Sequence, residues 1–250
     1  MLQFTRHEQI VRRVRSSGVV SVSSLAADLG VSASTIRRDL QVLNAHGALR
    51  RIRGGAGTVQ VEEVPFAVVA AVASAEKEAV ARRAADLVRD GEVLLLDIGT
   101  TTARLARHLR GRRVTVITSS LAVVDELRDD EAAELLVLGG ILRRNYLSMV
   151  GVLTEEALRQ IRAHRLFLGT SGIRRDGQVM DSTLVEVPVK RAMIAAAEQT
   201  VVLADRGKFP GSGVLPVCGP EDVDVLITND GVDPAALAAH VRADTEVIQA

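Results

Sequence analysis

From Ser74 onward the sequence alternates helix-period stretches with short apolar runs, and this alternation restricts the fold more than any other feature. The pattern Ala75–Arg89 precedes the run Val93–Leu96, and Thr102–Leu109 precedes Val114–Ile117. Leu121–Leu127 then precedes Leu135–Leu138, Thr154–Ile161 precedes Leu166–Leu168, and Val187–Glu198 precedes Val201–Leu203. Val225–Ile227 and Pro234–Val241 close the series. Short, wholly apolar runs read as strands covered on both faces, and strands separated by helices pair in parallel. The expected fold class is α/β, with a mostly parallel sheet. At 250 residues and 47% hydrophobic, the chain has enough apolar material for a large core and is not a disordered chain.

In such a sheet small ligands sit beyond the carboxyl ends of the strands, so those ends are the candidate site. The first reads Asp97-Ile98-Gly99-Thr100-Thr101-Thr102 and opens directly into a helix. Gly99 allows a tight turn, and the amides and hydroxyls that follow suit a phosphate at the helix N-terminus. Helix capping by threonine explains the same residues without a ligand. The other ends give Thr118 and Ser119, then Gly139 and Gly140, then Gly169 and Thr170, then Asp205 with Lys208 three residues on. A small polar ligand carrying a phosphate accounts for all five together, where capping accounts for each separately.

Glu186 has two readings. Thr183-Leu184-Val185-Glu186 fits a capping box. Pro188 instead favours the first helical position, which makes Val187 the cap and frees Glu186 to face the crevice. Lys190, four residues later, is then in position to pair with it.

The formal charge is zero, from 31 basic and 31 acidic side chains, but it is unevenly spread. Residues 1–60 carry nine arginines and three acids, a net of +6, and the rest carries −6. That asymmetry points to a polyanion partner for the head, although an arginine-rich solvated surface has the same charge. Local pattern favours the partner. Thr5 and Glu8 fit a capping box for a helix running to about Ser16, stopped by Gly18. A second short helix from Ser21 or Ser23 ends at Gly30. Ser32 caps a third, Ala33 to about Ala45, with Ile36, Leu40 and Leu43 on one face and Gly47 beyond it. This is helix-turn-helix spacing, and Ser32, Ser34, Thr35, Arg37 and Arg38 line the start of the helix that would enter a major groove. Arg50, Arg51 and Arg53 precede Gly54-Gly55 and suit a wing along the phosphate backbone.

Two further stretches bound the function. The single cysteine, Cys218, and five scattered histidines offer no metal site, so no metal is expected. The longest nearly apolar run, Phe66–Ala75, is too short to span a bilayer, and the N-terminus lacks a signal-type apolar core. A soluble cytoplasmic protein without membrane contact is expected.

Val31-Ser32-Ala33-Ser34-Thr35-Ile36-Arg37-Arg38-Asp39-Leu40, followed by Leu49-Arg50-Arg51-Ile52-Arg53-Gly54-Gly55-Ala56, resembles the head of DeoR-type bacterial transcription regulators. The stretches 97–102, 139–140, 169–173, 186–191 and 205–209 resemble the sugar-phosphate-sensing half of the same family. The resemblance implies a winged helix-turn-helix over 1–58, a linker over 59–73, and an effector-sensing and oligomerising domain over 74–250. It implies a repressor of sugar-metabolism genes, with double-stranded operator DNA and a phosphorylated sugar as partners and no cofactor. Symmetric operators would need at least a dimer, and a dimer or tetramer is expected. Two positions depart from the family pattern. Ala67-Val68-Val69-Ala70 stands where an arginine is usual after Pro65-Phe66, and Ser119 stands where asparagine is common.

The body also resembles ribose-5-phosphate isomerase in layout, which makes an isomerase-like enzyme the rival reading. Its acid-rich run and catalytic lysine have no counterpart in Thr170–Arg174 or Asp181–Leu184. Aldose–ketose isomerisation needs a base and an enediolate stabiliser, and no such pair is visible, so the expectation is a non-enzyme. A DNA binder without an effector is the third reading.

Overall fold

A computed structural model describes residues 6–7, 9–11, 13–14, 19–45, 49–52, 54–57 and 64–250, without the side chains of 19, 45, 50 and 57. The expected Thr5–Glu8 capping box, the helix end near Ser16 and Gly18, Gly47, Arg53 and residues 59–63 of the expected linker lie outside the described residues. The chain divides into two units, Met1–Glu63 and Val64–Ala250.

In the first unit, helix α1 comprises the described residues between 6 and 14. Strand β1 (Val19–Ser21) follows, then α2 (Val22–Leu29), α3 (Ala33–Ala45), β2 (Arg50–Ile52) and β3 (Gly55–Gly57). Ser21 caps α2 by accepting from the Ser24 amide, and Gly30 ends it at φ 63° with its own amide on the Ala26 carbonyl. The wing expected from Arg50–Gly55 is an antiparallel pair of β2 and β3, with β1 as a third strand on the other side of β3. The sequence reading missed β1, because a three-residue strand has too little period to register. Gly55 is required there: a Cβ would fall 2.2 Å from the Val20 carbonyl oxygen of β1. Ile10, Val14, Leu25, Ile36, Leu40 and Leu49 form the core.

The second unit begins with α4 (Phe66–Ala71), inside the stretch read as linker, and α5 (Ser74–Ala85). There follow β4 (Val93–Leu96), α6 (Thr100–His108), β5 (Thr115–Thr118), α7 (Leu121–Leu127), β6 (Glu134–Val137), β7 (Ile141–Arg143), β8 (Ser148–Val150) and α8 (Val152–Arg159). The series continues with β9 (Ala163–Gly169), β10 (Gly172–Ile173), β11 (Val179–Asp181), α9 (Val187–Ala196), β12 (Ala197–Leu203), β13 (Leu215–Cys218), β14 (Val225–Thr228), α10 (Pro234–Arg242) and β15 (Glu246–Gln249). The main sheet has the order β15-β14-β12-β9-β4-β5-β6, and every pairing in it is parallel. Its central strands are buried, and apolar clusters lie on both faces, as their unbroken apolar runs require.

The structure differs from the alternation pattern in several places, and adds β15 to the sheet after α10, where the series was expected to close. Helix α5 stops at Ala85, not Arg89, because the Leu87 and Val88 amides turn back to the Ala84 and Ala85 carbonyls. Helix α9 stops at Ala196, because Ala197 and Gln199 already pair with Ala163 and Arg165 of β9. An antiparallel hairpin β7–β8 and a small antiparallel sheet β10-β11-β13 interrupt the parallel series; both matter for the site.

Candidate functional site

In the first unit, the face of α3 opposite its buried Ile36, Leu40 and Leu43 carries exposed Ser34, Arg37 and Arg38. Ser32 Oγ accepts from the Thr35 amide at 3.1 Å and lies 2.8 Å from both Ser34 Oγ and Thr35 Oγ1. The helix start is therefore a cluster of hydroxyls in which Ser32 caps the Thr35 amide. Asp39, an acid within the basic motif, is buried and holds α1: Arg6 Nε donates to it at 2.6 Å and Nη2 at 3.1 Å, and His7 Nε2 lies 3.0 Å away. Its charge is thus spent internally and does not oppose a phosphate. The wing joins the same face, since the Arg51 amide donates to Asn44 Oδ1 at 2.8 Å and the Arg51 side chain is exposed. Arg50 has only its backbone described.

In the second unit the carboxyl ends of β4, β5, β9 and β12 carry the polar residues expected there, and most are buried, with Thr170 and Lys208 half-buried. Asp97, Thr100, Thr101, Thr102, Thr118, Ser119, Glu186, Lys190 and Asp205 are all buried. Three groupings emerge. In the first, Asp97 Oδ2 accepts from the Gly169 amide at 2.9 Å and from Lys190 Nζ, which also donates to the Gly169 carbonyl at 3.0 Å and lies 3.6 Å from Asp181 Oδ2. Burial works to lower the Lys190 pKa, but the Asp97 and Asp181 carboxylates outweigh it, and it is raised. The lysine is a fixed charge. The expected pairing of Lys190 with Glu186 is not what forms. The backbone keeps the i,i+4 relation, since the Lys190 amide donates to the Glu186 carbonyl at 2.9 Å, but the two side chains are taken by other partners, Asp97 for Lys190 and Arg143 with Ser148 for Glu186.

The second grouping holds Glu186. Its Oε1 accepts from Ser148 Oγ at 2.7 Å and from Arg143 Nη1. Neither capping reading survives in detail: the helix starts at Val187 with Glu186 as its cap residue, yet the Glu186 side chain makes no capping bond. Arg143 also lies over the Tyr146 ring, 5.6 Å from its centroid, and that ring meets Phe66 edge-on at 5.9 Å.

The third grouping surrounds Lys77, on α5. Its Nζ donates to the Val69 carbonyl at 2.6 Å, while Arg104 donates to the Ala70 carbonyl at 2.8 Å, to Ser74 Oγ at 2.9 Å and to the Thr100 carbonyl at 3.0 Å. Burial lowers the Lys77 pKa to about 8; the Asp205 charge opposes this, and Lys208 and Arg104 add to it. Asp205 accepts from the Gly207 amide at 3.0 Å.

Some expected ligand contacts are engaged within the protein instead. Thr118 Oγ1 donates to the Leu96 carbonyl and accepts from the Ser120 amide. Thr170 Oγ1 bonds the Gly172 and Met180 backbone. Gly140 is a packing glycine, since a Cβ would lie 2.3 Å from Thr154 Oγ1 and 2.7 Å from the Val150 carbonyl; Gly139 accepts from Thr154 Oγ1. Thr102 Oγ1 returns to the Gly99 carbonyl at 2.9 Å, with Gly99 at φ 130°. The Thr100–Thr102 turn at the start of α6 therefore offers mainly backbone amides.

The residues that sequence reasoning missed are Lys77, Arg104, Arg143, Ser148 and Asp181. Lys77 is one of three lysines in the chain, the single signal available for it. Arg143, Ser148 and Asp181 sit on the antiparallel additions that the alternation pattern does not reveal. A separate groove of about 370 Å³ between α8 and α9, lined by Arg159, Arg162 and Arg191 among others, contains none of the strand-end residues. Among the described residues no helix is long and apolar enough to cross a membrane, and no group of three or more His, Cys, Asp or Glu could hold a metal ion.

Comparison with known proteins matches both units. The profile of the DeoR-like helix-turn-helix domain matches residues 6–62, and that of the DeoR C terminal sensor domain matches 72–230. The chain is 34% identical over 232 residues to the glycerol-3-phosphate regulon repressor of Haemophilus influenzae, covering 92% of this chain and 91% of that one. It is 34% identical over 230 residues to the transcriptional repressor AccR of Agrobacterium fabrum, covering 90% and 89%. Among solved structures, ribose 5-phosphate isomerase A of Methanocaldococcus jannaschii aligns at 21% identity and a TM-score of 0.39 over 53% of this chain and 52% of that one.

Proposed function

The chain belongs to the DeoR family of transcriptional regulators, and from that premise we propose that it is a repressor of sugar-metabolism genes switched by a phosphorylated sugar. The DNA-binding regulator is the family's own character. The effector reading is carried by one observation: buried Lys77, Lys190 and Arg143-bound Glu186 gather at the carboxyl ends of parallel strands, beside the free amides that open α6. A helix N-terminus flanked by partly desolvated cations suits a phosphate. The relative from Haemophilus influenzae is named for the glycerol-3-phosphate regulon, which agrees with a phosphorylated effector.

On this reading the anion lies against Thr100, Thr101 and Thr102, with Lys77 and Lys208 as counter-charges, and Asp97, Ser119, Gly169, Glu186 and Lys190 face the rest of the ligand. Asp205 positions Lys77 through its charge. Arg37 and Arg38 read or grip the operator with Ser32, Ser34, Thr35, Arg50, Arg51 and Arg53. A homo-oligomer of at least two chains matches a symmetric operator. Switching requires that the effector bind the operator-competent and operator-incompetent states with different affinity. Helix α4, the first element after the residues joining the two units in sequence, is held by Lys77 and Arg104, so a phosphate that draws on these cations would alter its tether.

A thermal-shift screen of pentose, hexose and triose phosphates tests the reading, because a ligand bound to the native state raises its stability. No shift with any of them leaves a DNA binder without effector, and isomer turnover at enzyme-like rates would overturn the sensor. Calorimetry at pH 8 adds a second check. An anion beside Lys77 raises its pKa from about 8, so binding should take up a proton, visible as a dependence of the heat on buffer ionisation.

A further inference from the structure

We propose that the part of the crevice away from the phosphate is an acceptor-lined subsite that takes a hydroxyl-bearing polyol or sugar end and rejects a carboxylate. The inference rests on the phosphate reading above for the other end of the ligand. Among the described residues, Asp97 Oδ1, Glu186 Oε2 and Ser119 Oγ are buried atoms without a hydrogen-bond partner. Asp97 and Glu186 are 1% exposed and Ser119 is fully buried.

The three belong to one neighbourhood. Leu96 and Thr118 are directly paired in the parallel β4–β5 register, so Asp97 and Ser119 leave adjacent strands at the same level. The Ser119 carbonyl accepts from the Met149 amide at 2.8 Å, and Ser148, next along that strand, donates to Glu186 at 2.7 Å. The other oxygen of each carboxylate is already bound, to Lys190 and Gly169 in one case and to Arg143 and Ser148 in the other. Ion pairing thus fixes the carboxylates and leaves one oxygen of each facing an unmet demand.

An ionised carboxylate only accepts, so two of the three open positions call for donors on the ligand, and the serine hydroxyl serves either way. The charges agree. Asp97, Asp181 and Glu186 stand against Lys190 and Arg143, leaving this shell one negative charge in excess. A ligand carboxylate brought here would meet like charge in a desolvated place and would offer no donor. A hydroxyl satisfies the acceptors that would otherwise stay buried and unpaired, an asymmetry of the kind that gives polar sites their discrimination.

Matched pairs that differ at a single carbon test this: glucitol 6-phosphate against 6-phosphogluconate, and ribitol 5-phosphate against 5-phosphoribonate, titrated calorimetrically into the full chain. The alcohol of the tighter pair should bind about 5- to 150-fold more tightly than its acid. Glu186→Gln, which removes one charge at nearly constant shape, should narrow that ratio at least several-fold. Equal or tighter binding of the acids in the unaltered protein overturns the proposal, whatever the variant does. The unphosphorylated pair, glucitol and gluconate, separates the two claims. If phosphorylation adds no affinity, the phosphate reading fails; if gluconate equals glucitol, the acceptor subsite fails. No binding by either member of any pair overturns the subsite as well.

Discussion

The two units of this chain place their cations in opposite ways. The head keeps Arg37, Arg38 and Arg51 in water, and buries Asp39 against Arg6 and His7. The body buries Lys77 and Lys190 and bonds them to carbonyls and a carboxylate. A duplex is a long polyanion whose attraction is collective and salt-dependent, and exposed, mobile guanidinium groups meet it without a desolvation cost. A small ligand offers one or two charges, so selective binding needs few groups, held in fixed positions where the local dielectric makes each contact count. The same +6 and −6 that cancel in the whole chain thus belong to two different physical regimes.

The largest expected effect lies in the buried regime. Lys190→Met removes the cation beside Asp97, whose pKa burial already raises, so the carboxylate must either stay buried without a counter-charge or take up a proton. The loss should cost about 3–5 kcal/mol of stability together with the effector-induced thermal shift. Denaturant unfolding followed in the body should detect it; a loss below 1 kcal/mol would mean that the pair is solvated and the contrast with the head is false.

The next effect is in the head. Arg37→Ala or Arg38→Ala should weaken operator binding by about 1–3 kcal/mol where that arginine reads a base, with thermal stability changed by no more than about 0.5 kcal/mol. Fluorescence anisotropy with an operator duplex and a melting curve on the same sample separate the two. Unchanged binding by both variants would remove α3 from the recognition role.

A smaller effect is set by pH. His240 in α10 is fully buried, and burial lowers its pKa below 6.5. The unfolded chain therefore binds a proton in acid that the folded chain does not. The stability contribution is complete above pH 6.5 and falls as pH drops towards the folded value, at no more than about 1.4 kcal/mol per pH unit. A stability profile between pH 7.5 and 5 should flatten in His240→Gln.

The smallest effect is in salt. Arg51→Ala should reduce the slope of log affinity for DNA against log salt by about 1, while sugar-phosphate affinity, set by partly buried charges, should change much less over the same range. Equal salt slopes for the two ligands would erase the distinction between the units.

Much of this was legible in the sequence where a local rule applied. The turn at Gly30, the cap at Ser32 and the stripe of Ile36, Leu40 and Leu43 each follow from local sequence, and they locate α3. The strand ends at Asp97, Ser119, Gly169 and Asp205 were likewise visible, because unbroken apolar runs announce parallel strands. The β1 strand and the β7–β8 hairpin were not, being three residues long and without a pattern of their own. Ser148 and Arg143 were therefore hidden until the hairpin brought them to Glu186.

The sequence by itself determined the order of the alternating helices and parallel strands from α5 to α10, the family, and the edge of the sheet on which polar residues collect. The tertiary structure alone decided which charge meets which. Lys190 is four residues from Glu186 but binds Asp97, 93 positions away in sequence, and Arg143 takes Glu186 instead. The reason is geometric and electrostatic. Parallel crossovers bring strand ends from distant sequence to one edge, and a desolvated carboxylate takes the cation that this packing presents, whatever their separation along the chain.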